Sequence, residues 1–200
     1  MGQIELNKWS APILLAVLTA CGTTTAPRKQ ADLQQVEKFI IEGTNQFRAG
    51  ESRVVLRTNA ELEKAAREFA EYMARTGKFD HVVDGSTPAT RVKAAGYVYC
   101  RIGENLARHY STQGFTTPDL GRRMVEGWKE SPGHRRNMLE PDVIETGVAV
   151  VHKRHDGIDD FYAVQLFGKP RDVKRGRGGC GLSRKGCRSA SAVPSSRCPG

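Results

Sequence analysis

Apolar residues recur every three or four positions in three stretches of the chain, which is the spacing of one buried face of an α-helix. The first stretch ends at Gly50; the second begins at Asn59, a good helix N-cap, and ends at Gly77. A shorter helix is expected over residues 91–95. The apolar positions are Leu33, Val36, Ile40 and Phe47 in the first helix, Leu62, Ala66, Phe69 and Met73 in the second, and Leu120, Met124 and Trp128 in the third.

Two later stretches, residues 147–151 and 160–167, have the length and pattern of β-strands. In the second stretch both alternating faces are apolar, which is typical of a strand covered on both sides. Asp156-Gly157 lies between them and suits a hairpin turn. Residues 82–90 and 111–118 are polar or turn-forming and are predicted to be loops. Helices and covered strands together predict an α+β protein, a three-layer α-β-α sandwich.

The N-terminal segment has the pattern of a targeting signal. Residues 11–20 are an apolar run that is too short to span a bilayer as a helix. The run ends at Leu18-Thr19-Ala20-Cys21, which resembles the lipobox of bacterial lipoproteins. We therefore expect a lipoprotein signal peptide over residues 1–20, lipid attachment at Cys21, and a polar tether over residues 21–32 that holds an exported protein to the bacterial cell envelope. An ordinary secretory signal is the alternative.

The net charge is carried by the end of the chain. Residues 169–200 hold nine Lys or Arg and one Asp, so they supply +8 of the formal net charge of +9. Few apolar residues accompany these charges, and such a segment cannot bury enough surface to fold, so residues 170–200 are predicted to be a disordered basic tail. Anionic lipid or a cell-wall polymer is the partner this tail would attract; an extension without function is the alternative.

The region between tether and tail, residues 33–169, is predicted to be one domain. It is close to neutral and shows no basic stripe, so we expect no nucleic-acid partner. We also expect a monomer. Cys100 is the only cysteine of this domain, which predicts that packing stabilises it. The pairing among the exported cysteines is left open; these are Cys100, Cys180, Cys187 and Cys198.

Three short segments carry residue types that could form a site: Phe79-Asp80-His81, Gly103-Glu104-Asn105, and Ser131-Pro132-Gly133-His134. Ser131 is expected to cap a helix whose first turn holds Pro132, and Gly133 leaves open space beside His134. Taken singly, each segment also has a structural interpretation. His81 suits a helix C-terminus, Glu104 could fix a turn, and His134 could pair with a carboxylate.

The order and spacing of these motifs resemble the CAP superfamily, which includes cysteine-rich secretory proteins, plant pathogenesis-related proteins and insect venom allergens. The likeness is to the bacterial SCP-like branch, and it covers roughly residues 33–168. The resemblance implies an α-β-α sandwich with a cleft lined by two histidines and two acidic residues. His81, Glu104 and His134 match three of these positions.

The fourth cleft position departs from the family pattern. That pattern places a glutamate three residues after the tryptophan, which here is Trp128, and the residue found is Ser131. Glu130 is adjacent but would point differently on a helix, and Glu126, two residues before Trp128, is also off the pattern; Glu130 is kept as the acidic candidate. Ser131 and His134 could also suggest a nucleophile and its base, but a capping serine already has its oxygen committed to backbone N–H groups.

CAP relatives share no common reaction, so the resemblance implies a binding or interaction module of unknown ligand, and no catalytic residue is assigned. The alternative is a metal-dependent hydrolase of peptide or cell-wall material, with His81 and His134 as ligands and Glu104 as ligand or base. Imidazoles and a carboxylate suit zinc or a similar divalent ion, so such a metal is an open cofactor.

Overall fold

The computed structural model describes residues 29–171. The predicted signal peptide, Cys21 and nearly all of the predicted tail lie outside the described residues. The helices are α1 (Leu33–Gly50), α2 (Ala60–Thr76), α3 (Pro88–Ala94), α4 (Thr117–Glu130) and α5 (Pro132–Leu139). The strands are β1 (Arg57–Thr58), β2 (Tyr99–Ser111), β3 (Glu145–His155) and β4 (Ile158–Pro170). No helix of residues 29–171 is long and apolar enough to cross a membrane.

The four strands form one sheet in the order β1-β3-β4-β2. β4 pairs antiparallel with both β2 and β3, and the short β1 pairs parallel with β3. Asp156 and Gly157 connect β3 to β4 with φ angles of 47° and 80°, the left-handed backbone that a two-residue hairpin turn requires. The predicted hairpin is therefore present.

Each face of β4 is buried under its own helical layer, as the apolar alternation predicts. Tyr162, Val164 and Leu166 pack in one core with α2, while Phe161 and Phe167 pack in the other with α1 and α4. The chain therefore forms the expected three-layer α-β-α sandwich.

The helix boundaries follow local signals. Asn59 caps α2 by accepting a hydrogen bond from the backbone N–H of Leu62 at 3.0 Å, and Gly77 ends α2 with φ 74°. Residues 82–90 are not entirely a loop, because α3 begins at Pro88 with Thr87 as its cap. Residues 111–118 likewise end inside α4, whose first residue is Thr117.

The sequence pattern missed β2, although this strand is 13 residues long. Its centre reads Gly103-Glu104-Asn105, and glycine, asparagine and acidic residues are depleted in strands. β2 lies at an edge of the sheet, where pairing with β4 and contacts from helices override this low strand propensity.

Cys100 in β2 is disulfide-bonded. It is the only cysteine of residues 29–171, so no disulfide joins two of the described residues.

Arg48 on α1 is fully buried and connects four segments of the domain. Its guanidinium donates to the carbonyls of Val54 at 2.7 Å, Met138 at 2.6 Å, Glu140 at 3.1 Å and Val143 at 3.2 Å. Burial lowers the pKa of Arg48, yet every nitrogen of the guanidinium has an acceptor. The arginine thereby holds the end of α5, and the segment between α5 and β3, against α1.

We expect Arg48→Lys to lower the free energy of unfolding by about 2–4 kcal/mol, because an ammonium cannot reach the carbonyls that the planar fork serves. Chemical denaturation monitored by circular dichroism measures this. Arg53→Lys, at an exposed position of the same region, is the matched control and should change stability by less than about 0.5 kcal/mol. Equal small effects of the two substitutions would contradict the role of Arg48.

Candidate functional site

The candidate site lies along the outer edge of β2, where the two helical layers meet. In the pairing with β4, Glu104 is opposite Leu166 and Asn105 is opposite Gln165. Because neighbouring residues of a strand point to opposite faces, Glu104 lies on the face covered by α2 and α3, and Asn105 lies on the face that carries α5. Each layer therefore contributes to the site through a different residue of one strand.

His81, Glu104 and Arg91 form a hydrogen-bonded chain. His81 Nδ1 lies 2.9 Å from Glu104 Oε1, and Arg91 Nη2 donates to both oxygens of Glu104 at 3.0 and 2.8 Å. Arg91 Nη2 also donates to the backbone carbonyl of His81 at 3.0 Å. A carboxylate only accepts hydrogen bonds, so Nδ1 of His81 carries the proton and Nε2 is left for other partners.

Burial separates the roles of these three side chains. Glu104 is 2% exposed and Arg91 is 10% exposed, whereas His81 is 47% exposed. The carboxylate of Glu104 is thus shielded from solvent, and the guanidinium of Arg91 neutralises its charge. Glu104 and Arg91 hold the ring of His81 in place, and the ring faces the solvent.

His134 reaches the same region from α5. Its ring centroid lies 6.5 Å from that of His81, with the two planes at 59°. The start of α5 is fixed to β2, because Asn105 Nδ2 donates to the His134 carbonyl at 3.2 Å. Asn137 donates to the carbonyl of Glu104 at 3.0 Å and to Oδ1 of Asn105 at 2.9 Å. Trp128, predicted as a core residue, is buried. Its indole Nε1 donates a hydrogen bond to the carbonyl oxygen of Leu106 in β2 at 2.9 Å.

The two histidines have pKa values displaced in opposite directions. The hydrogen bond to Glu104 raises the pKa of His81 above its ordinary value. Burial lowers the pKa of His134, and the neighbouring charge of His81 lowers it further. Over the pH range between the two values, the site therefore offers one protonated and one neutral imidazole, which can donate and accept hydrogen bonds side by side.

An open groove of 400 Å³ adjoins the chain of hydrogen bonds. It is lined by His81, Glu104, Asn137, Ile102, Gly103 and the start of α3 from Thr87 to Ala89. His134 lies next to the groove through its contact with His81. Glu130 does not line it, and its side chain is exposed at the end of α4. The structure thus brings together His81, Glu104 and His134 and leaves Glu130 apart.

Ser131 occupies the N-cap position of α5, but its side chain makes no capping hydrogen bond. The expectation of a serine cap is wrong in this respect. Pro132 in the first turn is correctly predicted, and its fixed φ favours the start of a helix without help from the serine oxygen.

Sequence reasoning missed Arg91 and Asn137 as parts of the site. Neither lies in the three short segments that the sequence singles out, and nothing in their local sequence indicates a partner. Only after β2 is known to place Glu104 in the interior does a signal arise, because a buried carboxylate requires a cation or several donors. That argument calls for an arginine near Glu104 without identifying which one.

The residues present do not fit the three-ligand metal site considered from the sequence. Both oxygens of Glu104 are engaged by Arg91, and a metal ion there would lie against a guanidinium. Within residues 29–171, no three His, Cys, Asp or Glu side chains are grouped so that they could hold an ion. Two imidazoles remain, which is fewer than the three protein ligands usual for zinc.

Comparison with known proteins agrees with this fold and these motifs. Residues 41–167 match the cysteine-rich secretory protein family, CAP. The chain belongs to the CAP family. It is 31% identical over 155 residues to the protein YkwD of Bacillus subtilis, an alignment that covers 77% of this chain and 55% of YkwD. The chain thus spans about half the length of that relative.

Solved structures of bacterial proteins share the fold. An outer surface protein of Borrelia burgdorferi superimposes with a TM-score of 0.59 at 26% identity, over 70% of this chain and 96% of that one. An extracellular SCP-domain protein of Bacillus anthracis gives a TM-score of 0.57 at 22% identity, over 68% and 41% of the two chains. The second likeness concerns the fold alone.

We expect Glu104→Gln to lower the pKa of His81 towards about 6.5, the ordinary value, because the amide removes the charge that stabilises the imidazolium. NMR titration of the ring protons measures it. In the parent protein His81 should titrate above His134. If the substitution leaves the pKa of His81 unchanged, the carboxylate does not govern this ring.

Proposed function

We propose that this CAP-domain protein is a binding module of the bacterial cell envelope that takes a polar ligand in the groove at the edge of β2. The proposal rests on the hydrogen bonds that connect the side chains of Arg91, Glu104 and His81. These bonds fix one imidazole at the mouth of the groove with Nε2 available, at the cost of burying a carboxylate.

The two histidines provide the hydrogen-bond donors and the acceptor that would contact the proposed ligand. His81, with its raised pKa, offers a donor, and the neutral His134 beside it offers a donor and an acceptor. Hydroxyl, amide and carboxylate groups match this set. The groove is open rather than enclosed, so it suits one segment of an extended molecule such as a peptide or glycan of the cell wall.

The envelope location rests on two supports. The lipobox-like Leu18-Thr19-Ala20-Cys21 motif provides an anchor at Cys21, and related structures are named as outer surface and extracellular proteins. In this proposal the polar residues 21–32 tether the domain to the membrane, and the basic residues 170–200 attract anionic lipid or wall polymer. The module acts as a monomer.

A metal-dependent hydrolase is the second candidate, since two histidines lie side by side next to a groove. The state of Glu104 favours binding over hydrolysis, because this carboxylate is buried and paired with Arg91 and therefore serves neither as a metal ligand nor as a base for water. His81 and His134 are accordingly proposed as ligand contacts, and no residue is assigned a catalytic role.

Soluble muropeptides, released from cell walls by a muramidase, provide the test. Isothermal titration calorimetry with the full chain should detect saturable binding, and His81→Phe should weaken it by about tenfold or more, since the ring remains while its hydrogen bonds are lost. Ala89→Leu, which narrows the groove, should weaken binding as well.

His155→Phe is the matched control, because His155 is exposed at the β3–β4 hairpin, and it should bind as the parent does. The muropeptides should be recovered intact by mass spectrometry. Absence of binding, or equal binding by the two Phe variants, would contradict the proposed site. Cleavage that a chelator abolishes would instead establish the hydrolase.

A further inference from the structure

A second cavity lies between α2 and α3 and shares no lining residue with the groove at β2. Its volume is 480 Å³, within the range of about 300–1,000 Å³ usual for small-molecule sites. Helix α3 contributes to both cavities with different residues. Ala89 lines the groove at β2, whereas Ala94 lines the second cavity. We call the second one the α2–α3 cavity.

The wall of the α2–α3 cavity is mostly apolar. Its aliphatic and aromatic lining consists of Ala65, Phe69, Tyr72, Val83 and Ala94. Such a wall favours the apolar body of a ligand, because burying that body removes apolar surface from water on both sides.

One buried charged side chain, that of Arg91, also lines this cavity. Its Nη1 and Nη2 donate to Ser86, His81 and Glu104. Its Nε, although buried, has no hydrogen-bond partner among the described residues. The guanidinium carbon lies 3.5 Å from the centre of the Phe69 ring, a cation–π contact that stabilises the charge but supplies no acceptor in the plane of the guanidinium. A buried donor without an acceptor is rare and costly, so this nitrogen calls for a partner.

The other charges of the lining decide what kind of acceptor fits. Glu68 and Asp84 are both acidic. Lys78 neutralises Asp84 through contacts of 2.6 and 2.8 Å, and Arg91 itself is neutralised by Glu104. A carboxylate ligand would therefore be repelled by the negative charge of Glu68, and both cations near the cavity are already paired with acidic side chains. A neutral acceptor, such as a ketone, ester, amide or ether oxygen, meets no such repulsion.

We propose that the α2–α3 cavity is a binding site for a small, uncharged, mainly apolar molecule that carries one hydrogen-bond acceptor for Nε of Arg91. The apolar body lies against Phe69, Val83 and Ala94. Arg91 also supports Glu104 at the polar groove, but the two cavities share no lining residue, and this ligand is proposed independently of the one in the groove.

NMR titration of the full chain with benzylacetone, an uncharged aryl ketone, tests the proposal. The ketone should produce saturable shifts in the Nε–H resonance of Arg91 and in the amides of Phe69, Val83 and Ala94. Butylbenzene, which has a similar apolar body and no acceptor, should bind about tenfold more weakly, the factor that one hydrogen bond supplies.

Two substitutions on the same helix separate the α2–α3 cavity from the groove. Ala94→Leu fills the cavity from an exposed position and should weaken benzylacetone binding by about tenfold or more. Ala89→Leu adds the same side chain at the groove and should leave that affinity unchanged. Equal affinities for ketone and hydrocarbon, an insensitive Arg91 Nε–H resonance, or normal binding by Ala94→Leu would each overturn the proposal.

Discussion

The pairing of β2 with β4 is the constraint on which the candidate site depends. β4 is buried on both faces and pairs with β3 on one side and β2 on the other, which leaves β2 at the edge of the sheet. The register pairs Glu104 with Leu166. The carboxylate therefore lies on the face covered by α2 and α3, and Asn105 lies on the face that carries α5. A slip of one residue would exchange the two faces and separate Glu104 from both His81 and Arg91.

Burial of a carboxylate at this position determines the chemistry around it. A charged group removed from water requires hydrogen bonds and an opposite charge, and Arg91 provides both. The same carboxylate then orients His81 and raises its pKa, while the half-buried His134 has its pKa lowered. One buried charge thus produces two unlike imidazoles. Both oxygens of the carboxylate accept hydrogen bonds from Arg91, which leaves them poorly suited to hold a metal ion.

Much of the fold could be predicted from the sequence because its helices and covered strand have strong periodicities. Leu62, Phe69 and Met73 marked α2, and the alternation from Phe161 to Phe167 marked β4 and the two layers around it. β2 could not be predicted, because Gly103-Glu104-Asn105 disfavours a strand until β4 and the helices hold it. The convergence of His81, Glu104 and His134 was expected from family resemblance. The roles of Arg91 and Asn137 were not, because they depend on which residues the register brings together.

The tautomer of His81 tests the central claim most directly. Long-range correlation of ring protons with ring nitrogens by NMR, at a pH above the pKa of His81, identifies the protonated nitrogen of the neutral ring. The chain from Arg91 through Glu104 predicts a proton on Nδ1, held towards Glu104 Oε1, and a bare Nε2 facing the groove. A neutral His81 protonated on Nε2 would contradict it, because Nδ1 would then face the carboxylate without a hydrogen to share.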